Sequence, residues 1–218
     1  MGNSSVWIAG SYQSDYARNY AREGLEISDM VGEAVAGVAG LLLISDRIRA
    51  DRLGTRALAR IAGWGHGTAG LALQSKLDRS QGQPYVFPHV RQVVTDALAR
   101  AGTDGVRGLD GIETHDCFSM SEYMAIDHFG ITEPGESWKA VENGDLARDG
   151  VIPVNPSGGL IGVGHPVGAT GVRMLHDAAR QVTGRAEDCQ VDGASTFATL
   201  NIGGSLTTAV SFVVTRED

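Results

Sequence analysis

Asn155-Pro156-Ser157-Gly158-Gly159-Leu160-Ile161-Gly162-Val163-Gly164-His165-Pro166-Val167-Gly168-Ala169-Thr170-Gly171 is the stretch on which the reading of this chain turns. Six glycines, two prolines and one histidine lead into Ala169 to Gln181, where apolar residues recur at helical spacing. Glycine lets a backbone approach a ligand closely, and a helix N-terminus offers free N–H groups. His165 lies between Gly164 and Pro166, so a stiff turn holds its ring. At its plainest the stretch is a glycine-rich crossover with an incidental histidine. Gly162, Gly164 and Gly168 have the wrong last interval for G-x-G-x-x-G, and no Gly-Lys-Ser/Thr follows to make a P-loop. There is also no G-x-S-x-G elbow.

About 40 residues upstream, Gly111 to Thr114 reads as a strand that ends at His115-Asp116-Cys117-Phe118. A thiol beside an imidazole, where a strand gives way to a helix, can be partly ionised and pass protons. The same four residues also suit a buried cysteine used as a small hydrophobe beside a satisfied histidine. Downstream, Thr199-Leu200-Asn201-Ile202-Gly203-Gly204-Ser205 joins two strands within Ala198 to Val214. It reads as a hairpin turn, or as backbone N–H groups arranged for an oxyanion.

The remaining elements follow from periodicity. Ser5 to Ala9 and Ala39 to Ser45 read as buried strands, with helical spacing from Ile27 to Val38 between them. A polar stretch, Asp46 to Arg56, leads to a strand over Ala57 to Trp64 that ends in a Gly63-Trp64-Gly65-His66-Gly67 turn. Val90 to Leu98 marks a helix stopping near Ala101-Gly102, and Met120 to Phe129 another, capped by Gly130. Thr132 to Pro153 reads as a loop. This alternation, finishing in a hairpin, indicates an α/β fold with a mixed sheet.

Bulk properties narrow the function. The 218 residues carry a net charge of −8 at pH 7 and no run of Lys or Arg, which argues against a nucleic-acid face. Two cysteines, Cys117 and Cys189, form no disulfide framework. No apolar run is long enough to span a bilayer, and the N-terminus lacks a basic segment followed by an apolar core. The cytoplasm is the expected setting, with no membrane partner, no metal and no tightly bound cofactor.

Taken together, a strand-end HDCF, then NPSGG-x4-GHP-x-GATG, then an N-x-GG turn before the last strand resemble the C-terminal half of thiolases over Ala57 to Thr215. HDCF in place of Asn-Glu-Ala-Phe is similar to the sterol-carrier-protein type and to bacterial acetyl-CoA acetyltransferases. Residues 1–56 resemble a severely truncated N-terminal half (strand, helix, strand), and residues 57–218 a largely complete C-terminal half with a mixed sheet and helices. The long stretch that carries the reactive Cys and the CoA-gripping loop domain of such enzymes is absent from this sequence.

The resemblance implies an acyl-CoA acyltransferase that performs a Claisen condensation or its thiolytic reverse. It assigns His165 as the base that activates the nucleophile, and Cys117 as the acid/base that moves the α-proton. His115 is implied to hold the thioester oxygen, directly or through water. Asn201, Gly203 and Gly204 are implied to line the second oxyanion hole or bind substrate. No residue here matches the nucleophile, so the chain alone is expected to be inactive as an acyltransferase. A non-catalytic pseudoenzyme, or a partner-binding subunit, is one alternative. A thiolase-fold aldolase or lyase acting on a CoA thioester is another. Self-association, or association with a related subunit, is expected, in a role in lipid metabolism.

Overall fold

The computed structural model describes residues 6–11, 22–23, 41–45 and 59–217. The helix expected between Ile27 and Val38 and the polar stretch from Asp46 to Arg56 lie outside them. One six-stranded sheet organises the described residues. It comprises β1 (Val6–Ser11), β2 (Leu41–Ser45), β3 (Ala59–Thr68), β4 (Gly111–Thr114), β5 (Thr196–Gly203) and β6 (Thr208–Arg216), in the order β2-β1-β3-β6-β5-β4. The β4–β5 pair is parallel and the other neighbours are antiparallel, so the sheet is mixed. The helices are α1 (Leu73–Arg79), α2 (Pro88–Ala101), α3 (Ser119–Phe129), α4 (Ser137–Glu142), α5 (Gly159–Val163) and α6 (Thr170–Val182). No described helix is long and apolar enough to cross a membrane.

Strand alternation divides the core between two faces. Ala198, Leu200, Ala209 and Val213 pack with Val90, Val93, Val94 and Ala97 of α2. Phe197 and Val214, with Ile8 and Ala59, pack with Leu175, Ala178, Ala179 and Val182 of α6. The sheet is thus a layer between α2 and α6. Val6, Trp7 and Ile8 pair with Ile61, Arg60 and Ala59, which carries the sheet across the boundary expected at residue 56.

Two expectations need correction. Gly63 to Gly67 is not a turn: β3 continues through it to Thr68, paired with β6 throughout. Its alternating glycines meet the α2 helix. A Cβ on Gly65 would lie 1.9 Å from the Val93 carbonyl oxygen, and one on Gly63 2.0 Å from that of Ala97. The glycines therefore let a helix backbone sit directly on a strand. Likewise, the loop expected over Thr132 to Pro153 contains α4, packed back onto α3 through the Ser137 hydroxyl, which donates to the Tyr123 carbonyl at 2.8 Å. The ends of the other helices agree with their glycine signals. Gly102 and Gly130 stand in the left-handed region directly after α2 and α3.

Candidate functional site

The strand-end segment and the glycine-rich stretch are sewn together residue by residue. Asn155 N–H donates to the Ile112 carbonyl at 2.8 Å, and Asn155 Oδ1 accepts from Thr114 N–H at 2.7 Å. Ser157 donates to the buried Glu113 carboxyl through its hydroxyl (2.7 Å) and its N–H (3.2 Å). The Leu160 N–H donates to Asp116 Oδ1 at 2.5 Å. Gly159, at φ 61°, leaves room for that carboxylate, because a Cβ there would lie 2.1 Å from Asp116 Oδ2. The loop before His165 is therefore pinned to the end of β4, and α5 forms inside what the sequence presents as an open turn.

Three of the expected site residues meet at the strand ends. His115 follows β4, with its N–H on the Leu200 carbonyl at 3.0 Å. Its Nδ1 lies 3.0 Å from Asn201 Oδ1. An amide oxygen only accepts, so Nδ1 carries the hydrogen and Nε2 keeps a lone pair. His165 Nδ1 lies 2.7 Å from Thr170 Oγ1, and that hydroxyl donates its one hydrogen to the Pro166 carbonyl at 3.1 Å. With its hydrogen on that carbonyl, Thr170 Oγ1 accepts from His165 Nδ1. The two rings stand nearly perpendicular, at 86°, with centroids 4.8 Å apart. Burial lowers the His115 pKa below the ordinary imidazole value, opposed by the Asn201 bond and aided by the neighbouring His165.

The other candidates sit around this pair. Cys117 is half-buried on the loop between β4 and α3, and its Sγ lies 3.8 Å from Ser121 Oγ. Gly203 and Gly204 are exposed, two and three residues past Asn201, where the Thr207 N–H donates to both of their carbonyls. Cys189 is remote in sequence from these segments, in a short 3-10 turn (Glu187–Cys189).

Sequence reasoning missed Glu113, Asp116 and Thr170. The last two lay inside the quoted motifs, while Glu113 showed itself only as a lone acid in an apolar strand. It lies in a buried charged layer under α6, with Arg173 bonded to Asp177 at 3.3 Å. Burial, and then Asp177, push the Glu113 carboxyl up to about 8. Burial lifts Asp177 to about 6, against the pull of Arg173 and Arg180. Next to them His176 is held down to about 4 by burial and by the same two arginines.

Residues 72–216 match the family described as "Thiolase C-terminal domain-like", and the chain belongs to it. An acetyl-CoA acetyltransferase of Methanothermobacter thermautotrophicus is 44% identical over 108 residues, which is 50% of this chain and 28% of that protein. Sterol carrier protein 2 of Bos taurus is 42% identical over 95 residues, covering 44% of this chain and 18% of the relative. The matches thus span less than a third of these relatives' lengths. In fold, the chain is similar to a solved structure titled Ltp2-ChsH2(DUF35) aldolase. The TM-score is 0.64 at 19% identity, with 81% of this chain and 44% of that one covered.

Proposed function

We propose that this chain carries the proton-transfer half of a thiolase-type site for CoA thioesters, of the acetyl-CoA acetyltransferase kind. The observation that supports this is the pair of perpendicular imidazoles, each tied through Nδ1. His165 is the base that activates a nucleophile supplied by a related subunit. A water donating to His115 Nε2 turns its other hydrogen to the thioester oxygen, and Gly203 and Gly204 offer N–H groups to the same oxygen as it gains charge. Cys117, as the thiolate, takes the α-proton and returns it as the thiol. Asn201 orients His115.

Cys117 and Cys189 are the sequence's only cysteines, so no third thiol is present to take an acyl group. The chain therefore enolises a thioester by itself, and completes a condensation only with a nucleophile from a related subunit. A second copy of the chain is the other partner in this proposal, and a cytoplasmic role in lipid metabolism belongs to it. A lyase is the second reading, favoured by the missing thiol, because retro-aldol cleavage of a CoA thioester needs no acyl-enzyme.

Acetyl-CoA incubated with the protein in D2O tests the first reading. Deuterium should enter the acetyl methyl above the buffer rate, and Cys117→Ala should lower that excess by a factor on the order of 10²–10⁴. Intact-mass spectrometry should show no acetyl adduct. No exchange above buffer, with or without a full-length thiolase, would end this reading. Aldehyde release from a 3-hydroxyacyl-CoA would establish the lyase instead.

A further inference from the structure

Asp116 stands between His115 and Cys117 and takes no part in the proton transfers proposed above. Its side chain is held only 5% exposed at the end of a strand, and a buried carboxylate needs a donor. That donor is the Leu160 N–H, 2.5 Å from Oδ1 and inside α5. A short bond to an ionised acceptor is among the stronger kinds a protein makes. The other ties between the two motifs, at Asn155 and Ser157, lie ahead of α5 and farther along the chain from His165.

The backbone around that bond is shaped to admit the carboxylate. Gly158 and Gly159 have φ of 104° and 61°, in the left-handed region. A Cβ on Gly159 would lie 2.1 Å from Asp116 Oδ2, so any side chain there would push the carboxylate aside or lift the loop off the strand end. From Leu160 the connection continues toward His165. The Gly164 N–H donates to the Leu160 carbonyl at 3.0 Å, and Gly164 is the residue before His165. The edge-to-face contact of the two imidazoles, 4.8 Å between centroids, then leads back to His115. The result is a closed circuit through His115, Asp116, Leu160, Gly164 and His165. Leu160 and Gly164 enter it by their backbones, so the Asp116 carboxylate is its one side chain besides the imidazoles.

The charge of Asp116 reaches the same neighbours. The titratable groups that sense it are His115, on its own segment, and Glu122, on α3. Burial lowers the His115 pKa, and the Asp116 charge acts the other way. Burial first, and then the same charge, raise the pKa of Glu122. An amide of the same shape would keep an oxygen for the Leu160 N–H and remove the charge, which separates the two contributions.

We propose that Asp116 is a positioning residue of the site, whose carboxylate fixes the loop that presents His165 against the strand end that presents His115 and Cys117. This rests on the acyl-CoA reading above, in which these three residues serve one thioester site. The test is NMR of the whole 218-residue chain with isotope-labelled histidine. It reads the nuclear Overhauser cross-peak between the His115 and His165 rings, and the titration midpoint of His115. Asp116→Ala should lose the cross-peak. Asp116→Asn should keep it and lower the His115 midpoint, leaving the His128 signal in place. Gly159→Ala, which keeps the charge but displaces the carboxylate, should lose the cross-peak as Asp116→Ala does.

A cross-peak that survives in folded Asp116→Ala would overturn the inference, and so would an unmoved His115 midpoint in Asp116→Asn. If Asp116→Ala does not fold, Gly159→Ala and the near-isosteric Asp116→Asn decide by the same two signals. Deuterium exchange into acetyl-CoA is measured beside them. Ring signals that behave as expected, with no exchange in the wild type, would count against the acyl-CoA reading and leave the positioning of the two rings standing.

Discussion

Glu113→Gln should invert part of the pH dependence of stability. The Glu113 side chain is fully buried, and its carboxyl is raised from 4.5 to about 8 by burial first and by Asp177 second. The folded chain therefore keeps a proton that the unfolded chain has already released. The stabilisation from that proton is fully present below about 4.5 and is lost as pH rises through about 8. Within the window the slope is at most about 1.4 kcal/mol per pH unit, so from about pH 6 to pH 8 wild type should lose about 2–3 kcal/mol. Asp177, raised to about 6, adds a loss of the same sign only below that window. Glutamine has nearly the same shape, stays neutral, and keeps an oxygen for the Ser157 N–H, at the cost of rearranging the hydroxyl bond. Urea unfolding followed by circular dichroism, at several pH values across the window, gives the difference between the two proteins. The variant should be the weaker below about 6 and should gain on wild type up to about 8. If the two curves run parallel, the carboxyl is ionised in the folded chain and the argument fails.

Further outcomes follow from particular contacts. Gly65→Ala puts a methyl against the Val93 carbonyl, so it should lower stability by about 3 kcal/mol in the same unfolding assay. Thr170→Val removes the partner of His165 Nδ1, and stability in the same unfolding assay should fall by about 1 kcal/mol. Iodoacetamide, used sparingly and followed by peptide mapping, should modify Cys117 ahead of Cys189, which follows Glu187 and Asp188 in sequence. Faster labelling of Cys189 would count against the site.

What could be read from the sequence was whatever a local rule controls. The ends of α2 and α3 were legible because Gly102 and Gly130 stop a helix by their own backbone preference. Gly63 and Gly65 misled because the same residue type marks a turn or a close approach, and only the distant α2 helix decides which. The site was legible as a set of motifs but not as a geometry. His115, His165 and Asn201 were singled out through the resemblance, whereas their hydrogen bonds depend on Thr170 and on the amide of Asn201, which the spacing alone does not connect. Glu113 was invisible for a related reason. Its role depends on Ser157 and on charges carried by α6, all far along the chain.

The way the two motifs hold each other explains how the strand end and the glycine loop stay ordered together. Asn155, Ser157 and Leu160 bond to Ile112, Glu113, Thr114 and Asp116, and none of these bonds involves a third segment. His165 is then oriented by Thr170, at the start of the helix that its own loop enters, and His115 by Asn201 on the adjacent strand. The strand end, the glycine loop and the hairpin thus form a closed set of supports around both imidazoles. On the reading proposed above, condensation and enolisation are separable, because the first needs a bond-forming sulfur and the second only a held base.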